Sequence, residues 1–188
     1  MNNKEVFSTI NEILLNSSKP SYELESLIMD GNFDQYPFDK IKKLKNIDQN
    51  PKYHPEGNVL KHVFLVVDMA SEYKQYSSDK KVFMWAALLH DIGKLTTTRV
   101  RKNRITSYDH DREGKDIAMD FFNELTDDEE FKQKVVNLVR WHMQPLFYDK
   151  NLPFFQPQDM INDVEYKEVA LLSLCDRLGR GNLDKEMI

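Results

Sequence analysis

One stretch, Val82-Phe-Met-Trp-Ala-Ala-Leu-Leu-His90-Asp91-Ile-Gly93-Lys94, limits the folds open to this chain most sharply. Eight largely apolar residues run directly into a histidine and an aspartate, then a glycine and a lysine. The run has a helical period, since Val82, Ala86, Leu89 and His90 fall on one face. Gly93 stands where a helix usually stops. A carboxylate at the end of a buried helix is costly without a counter-charge. A divalent metal ion is one such partner, reached by imidazole nitrogen and carboxylate oxygen together where the helix ends. The alternative is a helix end where His90 and Asp91 face solvent, and the dipeptide alone does not separate the two.

The rest of the composition suits a helical domain around that stretch. A chain of 188 residues can bury a real core in one domain. Six glycines and seven prolines leave long uninterrupted stretches, which favours an all-α fold. The net charge of -5 argues against general coating of nucleic acid, while local basic patches stay open. A single cysteine, Cys175, excludes an intramolecular disulfide and reads as a plain buried thiol. No apolar run reaches membrane-spanning length, and the first residues lack the basic-then-apolar order of a signal peptide. These features predict a soluble, cytoplasmic protein without a membrane partner.

Along the chain, Val6, Ile10, Ile13 and Leu14 predict a helix over about 4–16. Ser21 is the expected cap of a second helix running to Met29. Residues 32–57 read as irregular, with Lys40, Lys42, Lys43 and Lys45 on a solvated face. Asn58 to about Tyr76 is strongly amphipathic, and His62 points with Val59 and Val66 into the core stripe. The central helix is expected over 80–92. Residues 96–108 alternate in β-prone types around Lys102-Asn103, which predicts a small hairpin carrying Arg99, Arg101, Lys102 and Arg104. Helices follow over 111–125 and from Phe131 to His142, the latter ended by Pro145. Residues 145–157 read as an aromatic loop roofing a site, and 163–178 as a last helix with Asp176 on its apolar stripe.

Taken singly, each polar exception has a dull explanation: a hydrogen-bonded core histidine, or Asp176 paired with Arg177 or Arg180. Together they are harder to dismiss. His62, His90, His142 and Asp176 sit on the inward stripes of separate helices, with Asp91 beside His90 and His110 at a helix start. Helix bundles build metal sites from side chains on facing helices in this way. Histidine and aspartate without cysteine favour Mn, Fe, Ni, Co, Zn or Mg over a thiolate-bound structural zinc.

The ordered set His62, His90-Asp91 and Asp176 resembles the HD-domain superfamily of metal-dependent phosphohydrolases. His110, His142, the Gly93-Lys94 pair, His54-Pro-Glu-Gly57, Asp109-His110-Asp111 and Asp176-Arg177-Leu-Gly179-Arg180 make it similar to the HD module attached to bacterial tRNA nucleotidyltransferases. The likeness covers about residues 50–181. It leaves residues 1–50 as an N-terminal helical extension packed on an HD domain of 51–188. Asp109 stands where that pattern has glycine. The nucleotidyltransferase part has no counterpart in these residues, so the activity implied is the phosphohydrolase one.

The resemblance implies an all-α HD-domain helical bundle with a hairpin near 96–108. It implies His62, His90, Asp91 and Asp176 as ligands of one divalent ion, with His110 and His142 holding a second ion or the substrate phosphate. Asp91 and Lys94 would be the catalytic residues, and Lys94, Arg177 and Arg180 would contact phosphate. The expected reaction is hydrolysis of a phosphomonoester or phosphodiester in a phosphorylated small molecule, a nucleotide or an RNA end, such as a 2',3'-cyclic phosphate. Two rivals are a di-iron oxygenase of the HD type and a non-catalytic nucleotide-binding module with a structural metal.

Overall fold

The computed structural model describes residues 1–180. Among them the chain forms eleven α-helices and one two-stranded hairpin, the all-α class expected. The helices are α1 (Asn3–Asn16), α2 (Pro20–Met29), α3 (Asp39–Lys43), α4 (Val59–Tyr73), α5 (Lys80–Leu89) and α6 (Lys94–Thr97). After the strands β1 (Arg99–Arg101) and β2 (Arg104–Thr106) come α7 (His110–Asn123), α8 (Glu129–Trp141), α9 (Gln144–Asp149), α10 (Pro157–Asp163) and α11 (Tyr166–Leu178). No helix among the described residues is long and apolar enough to cross a membrane.

Helix α5 is the centre. Asp79 caps it by accepting from the Val82 N–H at 3.1 Å, and Val82 to Leu89 are all buried. A helix apolar on every side is surrounded on every side. Accordingly α1, α4, α8 and α11 all pack against it. The amphipathic helices α4 and α8 turn their apolar stripes inward, and α7 lies along α8. Trp85 on α5 donates its indole N–H to Asn11 on α1, so this large ring is buried without stranding its polar atom.

Several boundaries differ from the sequence reading, each for a local reason. Helix α5 ends at Leu89 and the chain tightens into i-to-i+3 turns, Ile92 N–H to Leu89 O and Lys94 N–H to Asp91 O. Helix α2 starts at Pro20, whose missing N–H costs nothing in a first turn. Ser21 does not cap it. Its N–H and hydroxyl instead donate to the Asp68 carboxylate on α4, at 3.0 and 2.7 Å. Residues 32–57 contain α3, and 145–157 are partly helical, because Pro145 opens α9 instead of closing α8. Asp163 ends α10, so the last helix begins later than expected. The hairpin forms as predicted, pairing Val100 with Ile105. Lys102 and Asn103 both take positive φ (49° and 58°), the twist a two-residue hairpin turn requires.

Candidate metal centre

Four histidines and two aspartates from α4, the end of α5, the start of α7, the end of α8 and α11 meet inside the bundle. Along one row of rings, His62 and His90 centroids are 5.4 Å apart, His90 and His142 5.4 Å, and His142 and His110 5.2 Å. All six of these residues are buried.

Three of the rings are oriented by an acceptor behind them. His90 Nδ1 lies 2.8 Å from Ala87 O, His110 Nδ1 2.8 Å from Ser107 O, and His142 Nδ1 2.7 Å from Val139 O. A carbonyl oxygen can only accept, so each Nδ1 carries a proton, and in the neutral ring Nε2 presents a lone pair. His62 differs: its Nδ1 lies 2.9 Å from Glu56 Oε1 but off the hydrogen-bond direction. Glu56 accepts from His54 Nδ1 at 2.8 Å. Burial would raise the Glu56 carboxyl, but His54 and His62 pull it down to about 2.

The inward nitrogens meet carboxylates. Asp91 Oδ2 is 3.7 Å from His62 Nε2 and 3.4 Å from His90 Nε2, while Asp91 Oδ1 is 3.3 Å from His110 Nε2. Asp176 Oδ1 is 3.0 Å from His62 Nε2. In their neutral forms His90 and His110 turn Nε2 lone pairs toward carboxylate oxygens. The Nε2 atoms of His62, His90 and His110 are buried without any hydrogen-bond partner. Such groups cost on the order of 1–3 kcal/mol each when left unsatisfied. A divalent cation beside Asp91 would satisfy those it reaches, so the donor set fits such an ion. Ligand atoms within 4.8 Å of one another form two overlapping groups, His62–His90–Asp91 and Asp91–His110–His142, and Asp91 belongs to both. A third group, His54–Glu56–His62, lies on the Glu56 side of His62.

The electrostatics follow from this crowding. Burial opposes ionisation of Asp91, yet Lys94 and His90 hold its carboxyl well below the usual range. Asp176 is likewise held low against burial by His62 and Arg180. Burial depresses His142, and His110 and His90 beside it push it further, to about 3. His62 moves the other way, raised against burial by Asp176 and Glu56.

Of the residues named from sequence, the structure brings His62, His90, Asp91, His110 and His142 into one cluster. Asp176 reaches it through His62 and is otherwise paired with Arg180, whose Nη2 donates to Oδ2 at 2.8 Å. Lys94 Nζ donates to Asp91 Oδ2 at 2.7 Å and to Gln49 Oε1 at 2.8 Å. Arg177 pairs with Asp149 of α9. Cys175, next to Asp176, is a buried thiol pushed up to about 12 by burial and by that carboxylate. It is inert at neutral pH.

Sequence reasoning assigned no role to Glu56, His54 or Gln49. The carboxylate in His54-Pro-Glu-Gly57, six residues before His62, was the available signal for the first two. Gln49 carried none. The aromatic segment after Pro145 does border a site. Phe147 and Phe154, with His110, Arg101, Arg140 and Gln144, line a cleft of about 740 Å³.

The chain is 26% identical over 106 residues to the multifunctional CCA protein of Actinobacillus pleuropneumoniae serotype 5b, covering 56% of this chain and 25% of that protein. It is 29% identical over 105 residues to the multifunctional CCA protein of Thioalkalivibrio sulfidiphilus, covering 56% and 24%. With that of Halorhodospira halophila it shares 28% over 148 residues, covering 76% and 34%. The chain thus spans a quarter to a third of the length of these relatives. The HD domain family model matches residues 59–181, from the first residue of α4 to just past Arg180, and so takes in every member of the histidine-aspartate cluster. A match of that extent places the chain in the HD-domain family of metal-dependent phosphohydrolases.

Proposed function

We propose that this protein hydrolyses a phosphomonoester or phosphodiester of a nucleotide or RNA end with the help of one or two divalent ions. The observation carrying this reading is the convergence of unpartnered imidazole Nε2 atoms on Asp91. His62, His90 and Asp91, with Asp176 behind His62, would hold the first ion, and Asp91, His110 and His142 a second, weaker one. A divalent ion bound there supplies Lewis acidity to a phosphoryl oxygen and lowers the pKa of a water molecule.

The chain's own residues do the rest. Three backbone carbonyls keep His90, His110 and His142 in the tautomer that ligates. The Lys94 ammonium has three donors, two of them used by Asp91 and Gln49; the third is available for a phosphate oxygen. Arg180 neutralises Asp176. The hairpin adds Arg99, Arg101 and Arg104, and Arg101 borders the cleft, so the approach attracts a polyanion. The relatives' name and the likeness to tRNA nucleotidyltransferase modules make an RNA end bearing a 2',3'-cyclic phosphate the first substrate to test.

Elemental analysis of the purified protein, then a phosphate-release screen over nucleotides, cyclic nucleotides and RNA ends, tests this directly. Metal at less than one ion per ten chains after saturation with manganese and dialysis overturns it. So does oxygen consumption by the iron-loaded protein with no ester cleaved.

Two substitutions sharpen the roles. Lys94→Met should retain metal while kcat falls about tenfold or more, the loss expected for a hydrogen bond from a charged donor. An unchanged rate at saturating substrate makes Lys94 only the counter-ion of Asp91. His142→Ala should remove the weaker of two manganese-binding events in a calorimetric titration. A protonated phosphate-holding histidine is the competing role, and a pKa near 3 speaks against it at neutral pH. A single binding event unaltered by the substitution, together with weaker substrate affinity, would assign His142 to phosphate instead.

A further inference from the structure

We propose that the cleft beside His110 is a stacking pocket for the nucleobase of the substrate; the inference rests on the phosphohydrolase reading above and narrows its substrate to nucleotide units. At about 740 Å³ the cleft is of the size that takes a small organic ligand. His110 lines it, so the cleft adjoins the candidate metal centre. Three aromatic rings, Tyr108, Phe147 and Phe154, form part of its wall, beside Arg101 and the carboxylates of Asp109 and Asp111. Phe147 and Phe154 meet edge to face with centroids 5.7 Å apart, and Arg101 lies over the Tyr108 ring at 5.0 Å. Phe154 and Tyr108 are 58% and 62% exposed, an unusual degree for two rings bordering one hollow.

These walls are held in place, not left to collapse. Gln144 is 1% exposed; its Oε1 accepts from Gln156 N–H at 2.7 Å and its Nε2 donates to Phe154 O at 3.4 Å. The buried carboxamide therefore ties the far side of the aromatic segment to the start of α9. Arg140 anchors the same segment, donating to Asp111 at 2.6 Å and to Gln156 Oε1 at 3.2 Å. Aromatic faces and a guanidinium plane are what single-stranded bases stack on. A polyol or simple sugar phosphate would leave those faces without a partner.

The test is calorimetric titration of the full chain, metal-free and then with manganese, using nucleoside monophosphates and glycerol phosphate. Wild type should bind the nucleotides more tightly than glycerol phosphate. In Phe154→Ala and Tyr108→Ala the ratio of the two affinities should drop by about 5- to 100-fold, the scale of one lost base stack. Both side chains are exposed, so melting temperatures should stay near wild type. Equal affinities in wild type, ratios unchanged in both variants, or no nucleotide binding at millimolar concentration with or without manganese each overturn the pocket. Hydrolysis of glycerol phosphate and bis(4-nitrophenyl) phosphate by the manganese-loaded protein separates the two readings. Cleavage of these esters without base-dependent binding discards the pocket and keeps the hydrolase. Base-dependent binding with no ester cleaved discards the hydrolase and keeps the pocket.

Discussion

Asp91→Ala should abolish metal binding and phosphate release together. Asp91 is the one side chain shared by both candidate ligand groups, so its loss weakens both half-sites, where any histidine substitution weakens one. The substitution also strands Lys94, which is buried and bonded to Asp91 at 2.7 Å. Removing one partner of a buried ion pair costs about 3–5 kcal/mol. A lower melting point therefore has to be separated from lost ligation. The double substitution Asp91→Ala with Lys94→Met removes the stranded charge and should recover much of that stability while binding no metal. The measurements are thermal unfolding in chelator and metal content after manganese loading and dialysis. Full metal occupancy in either variant refutes the assignment of Asp91 as the shared ligand. If the double variant is as unstable as the single one, the ion pair is not what Asp91→Ala breaks.

Gly93→Ala should destabilise the protein by at least about 3 kcal/mol, near the severe end of single substitutions. The reason is not backbone freedom, since Gly93 has φ -64° and ψ -16°. A Cβ there would lie 2.0 Å from His110 O and 2.6 Å from Gly114 N. Both atoms are backbone, so no rotamer change relieves the overlap, and α7 must move away from the end of α5. That movement carries His110 away from Asp91. At about 2–4 °C per kcal/mol for a chain of this size, the melting temperature should fall by roughly 6–12 °C. The weaker manganese site should be lost as well. Gly114→Ala is the useful contrast, because its Cβ would meet the movable Val139 Cγ1 at 3.1 Å and Gly93 N at 3.4 Å. A Gly93→Ala protein with wild-type stability and both metal sites would show that the helices tolerate separation.

The two glycines also show how far local reading goes. Gly93 follows an apolar run and reads naturally as a helix stop, yet α5 has already ended at Leu89. What needs a glycine there is a neighbour seventeen positions later in the chain, the carbonyl of His110. Asp109 carries a different lesson. The family pattern has glycine at that place, and the residue indeed sits at φ 59°, in the left-handed region. Aspartate is among the few side chains that enter it readily.

Periodicity alone determined much of this protein. The apolar spacing in 59–73, 82–89 and 131–139 specifies helices and their inward faces, because a helical period is a local property of the backbone. His62, His90, His142 and Asp176 could be read as inward-facing for the same reason. Spacing does not say at what height two helices touch, and heights decide partners. Only the packed bundle makes Asp91 the hub of two ligand groups and sets Glu56 behind His62. Only packing brings Asp68 of α4 to the start of α2, in place of the cap expected from Ser21. Arg177 and Arg180, three residues apart, looked equivalent, but Asp149 lies across from one and Asp176 one turn before the other. Side chains remote in sequence meet only through the axial positions of the helices that carry them. Those positions come from how whole apolar faces interlock around α5, which no single segment encodes.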